Sequence, residues 1–382
     1  MHRPNQTNAA LACLGILMTI AGCADLKDKP TNPAPATRQT ERVFDSPVFD
    51  KSNVTFNLQA DRMTDVQVIG EWSGWQSLPL TRNDQGIWTV TVRNMPAGIW
   101  HYFFLVNGLE ICDPMNPLMQ ASRKMDASIV QIPSDPPAPW DPQNIPHGVL
   151  HNHQYFSTAL GRDRRVIVYT PPGYSASYPP LPVLYLTNGM GGTEESWSVD
   201  GRAGWIADAL IAEKKAVPML IVMINAHAIP YTGQKFGSYL PPNTDAFIAD
   251  LRQDVRPLIE KNYKVRTDGD GRAFAGLSMG GAEAFTLGLN HPDEFTWIAA
   301  MSPSGVPLQK IQYALENSAV VNAKLHLLSV TAGNREDPEG VNRFLDKLRA
   351  RGLKPEFEIV EGDHSWPNWR PVLVKLLPRL FR

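Results

Sequence analysis

The feature that most constrains this chain is the run Gly276-Leu277-Ser278-Met279-Gly280-Gly281. A short apolar stretch, Arg272 to Ala275, precedes it, and a helix-forming stretch, Ala282 to Leu289, follows, so the pattern predicts strand, tight turn, helix. A turn that sharp strains the backbone of its central residue. It also brings strand and helix so close that positions two residues to either side have no room for a Cβ. Gly276 and Gly280 meet that condition and leave Ser278 at the apex, a candidate nucleophile. The turn aims the Ser278 hydroxyl and the Met279 amide at one point beside the positive end of the helix dipole, where a developing oxyanion is stabilised. Such a motif acquires meaning only if the rest of the chain supplies partners in the right order.

At an elbow of this kind the partners follow the serine as acid and then histidine. Three histidines lie downstream, His291, His326 and His364. His326 falls in the apolar run Leu325 to Leu328 and reads as a packed core residue, whereas His291 ends the helix after Ser278, where a cation suits the dipole. His364 sits in the polar loop Glu361 to Trp366, directly after the last predicted strand, Phe357 to Val360. That loop belongs at the C-terminal edge of the sheet, so His364 is the candidate general base. The acid should come from the loop after the preceding strand, Ala332 to Pro338, which offers two adjacent carboxylates. The spacing from Gly333 favours Glu336, while Asp is the commoner acid in such triads, so Glu336 leads and Asp337 stays open. A second oxyanion donor is expected after an early strand. The glycine-rich Leu186-Thr187-Asn188-Gly189-Met190-Gly191-Gly192 places the Met190 amide there. It lacks the lysine and hydroxyl that end a nucleotide P-loop. This chemistry calls for no metal and no cofactor, and the spacings H-E-x-x-H and paired C-x-x-C are absent.

Around this centre the 382 residues divide by pattern. From Val43 to Pro133, alternating runs such as Val54 to Leu58, Val66 to Ile69, Ile87 to Val92 and Trp100 to Val106, split by turn residues, predict an all-β sandwich. A proline-rich linker covers residues 134–148. From Val149 to Arg382, two antiparallel starting strands are followed by continuous apolar runs at Val183 to Leu186, Met219 to Ile224, Trp297 to Met301 and Leu325 to Thr331. Such runs suit a mostly parallel sheet covered on both faces by helices. Apolar spacing behind Thr244 predicts a helix to Lys261, capped by Thr244, with Asp250, Arg252, Asp254 and Glu260 on a solvated face. A net charge of −2 removes the electrostatic case for nucleic acid as a partner.

Four motifs carry a resemblance: Tyr169-Thr170-Pro171-Pro172-Gly173-Tyr174, Asn188 to Gly192 after Pro182 to Leu186, Gly276 to Gly281, and Gly362-Asp363-His364 with Trp369. Together they resemble the esterase D family, which includes feruloyl and acetylxylan esterases of carbohydrate esterase family 1 and the enterochelin esterases. The resemblance implies an α/β-hydrolase fold and a serine esterase acting on an ester substrate. An arylester or acetyl ester of plant cell-wall polysaccharide is the first expectation, and a catecholate siderophore ester the second. Trp197, Tyr231, Tyr239 and Trp366 are candidate substrate-pocket walls. Two departures stand out: Asn188 occupies a position where members commonly have histidine, and the acid loop reads Gly333-Asn334-Arg335-Glu336-Asp337 rather than glycine followed three residues later by Asp. The first module, with Gly70 to Trp75 and Asp113 to Pro117, resembles the immunoglobulin-like early-set domains attached to glycogen-active enzymes and some esterases, and offers Trp72 and Trp75 to stack on sugar rings. A rival expectation is a non-catalytic carbohydrate-binding lipoprotein with these tryptophans as its binding face.

The N-terminus predicts export. His2 and Arg3 precede the apolar run Ala9 to Ile20, too short to span a bilayer comfortably, and Ile20-Ala21-Gly22-Cys23 resembles a bacterial lipobox. That resemblance implies a signal peptide over residues 1–23, a lipid on Cys23 as membrane anchor and, with Ala24 following, sorting to an outer membrane. An ordinary cleaved signal peptide is the alternative. Residues 24–42, rich in Lys, Asp, Pro and Thr, read as a disordered tether. Cys112 is then the one thiol left in the folded part, expected as core filler with no disulfide partner.

Overall fold

The computed structural model describes residues 44–123 and 127–382. The expected signal peptide, Cys23 and the tether lie outside these residues. Phe44–Arg382 form one compact unit. Among the described residues no helix is long and apolar enough to cross a membrane.

The first strands are β1 (Val48–Asp50), β2 (Asn53–Gln59), β3 (Val66–Gly70), β4 (Ser77–Pro79), β5 (Thr81–Arg82), β6 (Ile87–Val92), β7 (Gly98–Val106), β8 (Leu109–Ile111) and β9 (Ser128–Ile132). They make two antiparallel sheets, ordered β1-β2-β6-β5 and β4-β3-β7-β8, with β9 also pairing with β7. Burial alternates along β2 and β3, as expected where one face packs inward and the other meets solvent. Val54, Phe56, Val68, Tyr102 and Phe104 fill the sandwich. Trp72 belongs to this packing, since its ring stacks on Phe56 at 5.3 Å. The expected two-tryptophan sugar face is therefore reduced to Trp75, which is exposed and lies against Phe103. The proline-rich stretch after β9 is pinned by the buried Asp141 carboxylate, which accepts from Gln131, Ser134 N and Ala138 N.

The remaining strands are β10 (Val149–Ser157), β11 (Arg162–Thr170), β12 (Val183–Thr187), β13 (Leu220–Ile224), β14 (Arg272–Leu277), β15 (Trp297–Met301), β16 (Leu327–Gly333) and β17 (Glu356–Val360). They form an eight-stranded sheet in the order β10-β11-β13-β12-β14-β15-β16-β17. The first two strands run antiparallel to their neighbours and the rest are parallel. β12, β13, β14 and β15 are buried at every residue because apolar clusters cover both faces of the sheet. This is the α/β-hydrolase architecture, preceded by an immunoglobulin-like sandwich. The parallel strands put the loops after β12, β14, β15, β16 and β17 along one edge, where the candidate residues are found.

Three local expectations are corrected. The helix expected from Thr244 begins earlier, at Phe236, runs to Asp250, and continues through a π-helical segment, Leu251–Val255, into Arg256–Asn262. Thr244 is buried within it and caps nothing. Its charged residues are not a solvated face. Asp250 is buried against Arg164 at 3.3 Å and Tyr155 at 2.9 Å, Asp254 ties down Ser157, Thr158 and Ala159, and Arg252 pairs with Glu294. His326 precedes its strand and pairs at the surface with Asp270 at 2.9 Å rather than packing in the core.

The sandwich and the sheet domain share a polar, buried seam. His101 of β7 meets Asp200 at 2.8 Å and Glu71 at 3.4 Å. The second Asp200 oxygen accepts from Ala121 N at 3.1 Å, and Ala121 O accepts from Ser196 Oγ at 2.6 Å. Arg370, almost wholly buried, donates to Asp200 O at 2.7 Å and Ile99 O at 3.4 Å. Burial alone would lower the His101 pKa, but the two carboxylates outweigh it and raise it to about 9.

Candidate active site

Ser278 joins β14 to the helix Met279–Asn290 with φ 54° and ψ −113°, a region disfavoured for any residue with a side chain. The glycines around it are required as their positions predict. A Cβ on Gly276 would come within 2.4 Å of the Gly280 backbone, and one on Gly280 within 2.6 Å of Asn188 O. The strained turn is clamped by Ser278 N donating to Met301 O at 2.8 Å and Ser304 N donating to Ser278 O at 3.0 Å. Met279 N is the first amide of its helix and, like Met190 N, has no acceptor among the described residues.

Of the two open carboxylates, Glu336 faces the histidine. His364 Nδ1 lies 3.1 Å from Glu336 Oε2, and Glu336 Oε1 accepts from Ser302 Oγ at 2.7 Å, Gly333 N at 3.0 Å and Asn368 Nδ2 at 3.3 Å. Burial would raise the Glu336 pKa, but the hydrogen bonds from His364, Ser302 and Gly333 outweigh it and hold the carboxyl below its ordinary range. Asp337 instead caps the helix Pro338–Arg349, accepting from Gly340 N at 2.8 Å, and is exposed. Trp369 packs edge-on to His364 at 5.0 Å and donates from Nε1 to Ser302 Oγ at 3.1 Å. The imidazole is thus fixed from two sides. Ser278 Oγ and His364 share the same cleft without a closed hydrogen bond, a contact that commonly tightens only when substrate is bound.

The two residues stand where two hollows meet. One, about 450 Å³, is walled by Trp366, Trp369, Gly189, Met190 and Gly192, and on its far side by Glu71, Gln120 and Ser122 of the sandwich. The other, about 370 Å³, is walled by Pro303, Ser304, Val341 and Phe344. Met190 and Trp366 therefore lie where the sequence puts them. Trp197 and Tyr239 do not line either hollow. Trp197 is 1% exposed, donates from Nε1 to Thr187 O at 2.8 Å and supports Trp366 from behind. Tyr239 is 1% exposed, with its hydroxyl 2.7 Å from His227 Nδ1. Tyr231 stacks edge-on against Tyr239 and borders neither hollow. Large aromatics near a motif are more often support than surface, and nothing in the sequence separates the two roles.

Sequence reasoning missed Ser302, Asn368 and the sandwich residues on the wall. Ser302, at φ 45°, repeats at the end of β15 the strained geometry of Ser278, and the run Ser302-Pro303-Ser304-Gly305 after a buried strand was its only signal. At the departure from the family pattern, Asn188 is buried. It accepts from Ala226 N at 3.0 Å and donates to Gly189 O at 2.8 Å, so its amide fixes the loop that carries Met190.

Known proteins resemble both parts of the chain. Residues 53–137 match the family described as the glycogen recognition site of AMP-activated protein kinase. An endo-1,4-beta-xylanase/feruloyl esterase of Xylanibacter ruminicola is 31% identical over 309 residues, which are 79% of this chain and 41% of that protein. The chain thus spans less than half of that relative's length. The enterobactin esterase FES from Shigella flexneri superposes with a TM-score of 0.59 at 21% identity, covering 85% of this chain and 92% of that one. The CE1 ferulic acid esterase of Anaeromyces mucronatus superposes with a TM-score of 0.55 at 19% identity, covering 63% of this chain and 93% of that one. Residues 157–380, more than half of the chain, match the family described as "Putative esterase", and the chain belongs to that esterase family.

Proposed function

We propose that the protein is a serine esterase that hydrolyses carboxylic esters through an acyl-enzyme. The observation that carries the reading is the alignment of Glu336, His364 and the strained Ser278 on one cleft, beside the open amides of Met279 and Met190. Ser278 Oγ attacks the ester carbonyl carbon while its proton passes to His364 Nε2, and Glu336 holds the Nδ1–H tautomer and stabilises the imidazolium. The two amides bind the tetrahedral oxyanion. As the intermediate collapses, His364 gives its proton to the departing alcohol oxygen. A water then loses a proton to His364, attacks the acyl-serine and releases the acid.

The substrate favoured is a feruloyl or acetyl ester of plant cell-wall polysaccharide. Supporting it are the aromatic wall at Trp366 and Trp369, the polar wall from the sandwich and the relationship to a xylanase/feruloyl esterase. A trilactone catecholate ester is the second reading, favoured by a resemblance to the enterobactin esterase that extends over the sandwich as well. Turnover of p-nitrophenyl acetate and methyl ferulate, lost by at least about 10⁴-fold in Ser278→Ala, is the expected result. A Ser278→Ala protein with full activity sinks the proposal. Comparison of methyl ferulate, acetylated xylan and a trilactone siderophore ranks the substrates, and xylan binding without turnover by the parent protein would favour a binding module instead.

We also propose that the chain is exported and anchored by lipid on Cys23. Metabolic labelling with a fatty acid should mark the parent protein and not Cys23→Ala; equal labelling of both refutes the anchor.

A further inference from the structure

The loop that carries Met190 poses a physical problem. Gly191 sits at φ +82°, in the left-handed region open to glycine, so steric restriction alone does not fix the peptide planes around it. An oxyanion donor displaced by about 1 Å loses much of its effect, so hydrogen bonds must set the orientation. On one side the sandwich holds the loop: Arg123 N donates to Gly191 O at 2.8 Å, and Ser122 bridges to Gly192. On the other side stands His227, after β13. It is buried, borders neither hollow and plays no part in the proposed chemistry.

We infer that His227 is a positioning residue of this site, which fixes the Met190 oxyanion loop through Gly191 and ties it to the helix of the nucleophile. Gly191 N lies 3.1 Å from His227 Nε2. An amide can only donate, so Nε2 is the bare nitrogen and the proton of the neutral ring is on Nδ1, facing Tyr239 Oη at 2.7 Å. Tyr239 Oη in turn has two acceptors for its one proton, Asn243 Oδ1 at 2.9 Å and Ile229 O at 3.0 Å. Asn243 Oδ1 also accepts from Ala228 N and Ile229 N, and Asn243 Nδ2 donates to Ala226 O at 2.8 Å and Glu283 Oε1 at 3.1 Å. Glu283 lies in Met279–Asn290, the helix that Ser278 opens. The Gly191 amide sets the tautomer of the ring, and Tyr239, Asn243 and Glu283 are almost wholly buried, so these bonds form one continuous buried network. The charged groups facing the ring are Arg123, whose guanidinium is 3.4 Å from Nδ1, and Arg164, which donates to His227 O at 2.9 Å. Burial first, then these two cations, lower the His227 pKa to about 4, so Nε2 remains an acceptor at neutral pH.

This role rests on the esterase reading for its effect on catalysis, but the geometry can be tested without it. In the full chain, His227→Leu removes the acceptor and keeps the bulk, His227→Gln restores an acceptor near the Nε2 position, and Tyr239→Phe releases the Nδ1–H and removes the Oη donor to Asn243 Oδ1 or Ile229 O, leaving Nε2 in place. Amide hydrogen exchange of the peptide spanning Gly189 to Gly192 should speed up in His227→Leu and return towards parent rates in His227→Gln. On methyl ferulate, His227→Leu should lower kcat about 10- to 100-fold with KM within about twofold, His227→Gln should recover most of the loss, and Tyr239→Phe should fall between. Unchanged kcat and loop exchange in His227→Leu overturn the inference. So does a His227→Gln protein as impaired as His227→Leu. If His227→Leu does not fold, Tyr239→Phe decides, and parent-like exchange and kcat in that variant overturn the role. Should the parent turn over no ester, the esterase reading fails by itself and loop exchange alone judges the positioning of Gly191.

Discussion

In the proposed site the acid arm runs from His364 to Glu336 and its donors Ser302, Gly333 and Asn368, and the oxyanion arm runs from Met190 through Gly191 to His227 and to Arg123. The acid arm draws on the ends of β15, β16 and β17, neighbours in one parallel sheet, whose C-terminal ends meet by topology. The oxyanion arm draws on the loop after β12, the loop after β13 and a segment of the sandwich about 70 residues earlier in the chain. The first arm lies wholly within the hydrolase domain, whereas the second is held partly by that domain, through His227, and partly by the sandwich, through Ser122 and Arg123. The sandwich is therefore part of the site's structure.

The contrast can be broken at three places. The largest effect belongs to the acid arm. Glu336→Ala should lower kcat on methyl ferulate by about 10²- to 10⁴-fold, because the imidazole loses the partner that sets its tautomer. A smaller loss than in Asp337→Ala would reverse the assignment of the acid.

Next is the seam that holds the oxyanion arm. His101 is charged in the folded state up to about pH 9 against an ordinary value near 6.5, so its pairing stabilises fully below about pH 6.5 and is lost as pH rises through 9. The parent protein should lose roughly 3 kcal/mol of unfolding free energy over that interval from this group. His101→Gln should flatten the dependence, as read from denaturant unfolding at a series of pH values; an equally steep curve in the variant would show that the seam does not hold this charge. The smallest effect is that of Asp337→Ala. Loss of a helix cap should cost about 1 kcal/mol of stability with kcat unchanged, which thermal unfolding and the ester assay measure together.

The legible residues share a physical character. Ser278, Gly276 and Gly280 are dictated by a turn only a few residues long, and His364 and Glu336 by their places after consecutive strands, so local sterics and strand order found them. Glu336 and Asp337 are adjacent and equally acidic, and only the path of the loop sends one to the histidine and the other to a helix cap. The aromatics divided in the same way: Trp366 reached the cleft, while Trp197 and Tyr239, of like composition, were drawn into the interior behind it. The run of charges from Asp250 to Glu260 was misread as a solvated face because pairing partners such as Arg164, Glu294 and Arg272 come from distant elements.

By itself the sequence determined the sheet, the strained elbow and the order of the groups along its edge, because these follow from periodicity, glycine placement and parallel strand connections. Tertiary structure alone decided which carboxylate meets His364, that His101 and Asp200 form a buried pair, and that His227 and Arg123 hold the N–H and the C=O of Gly191. Those contacts join residues 28 to 99 positions apart, and their energies depend on burial and distance, which no local pattern encodes.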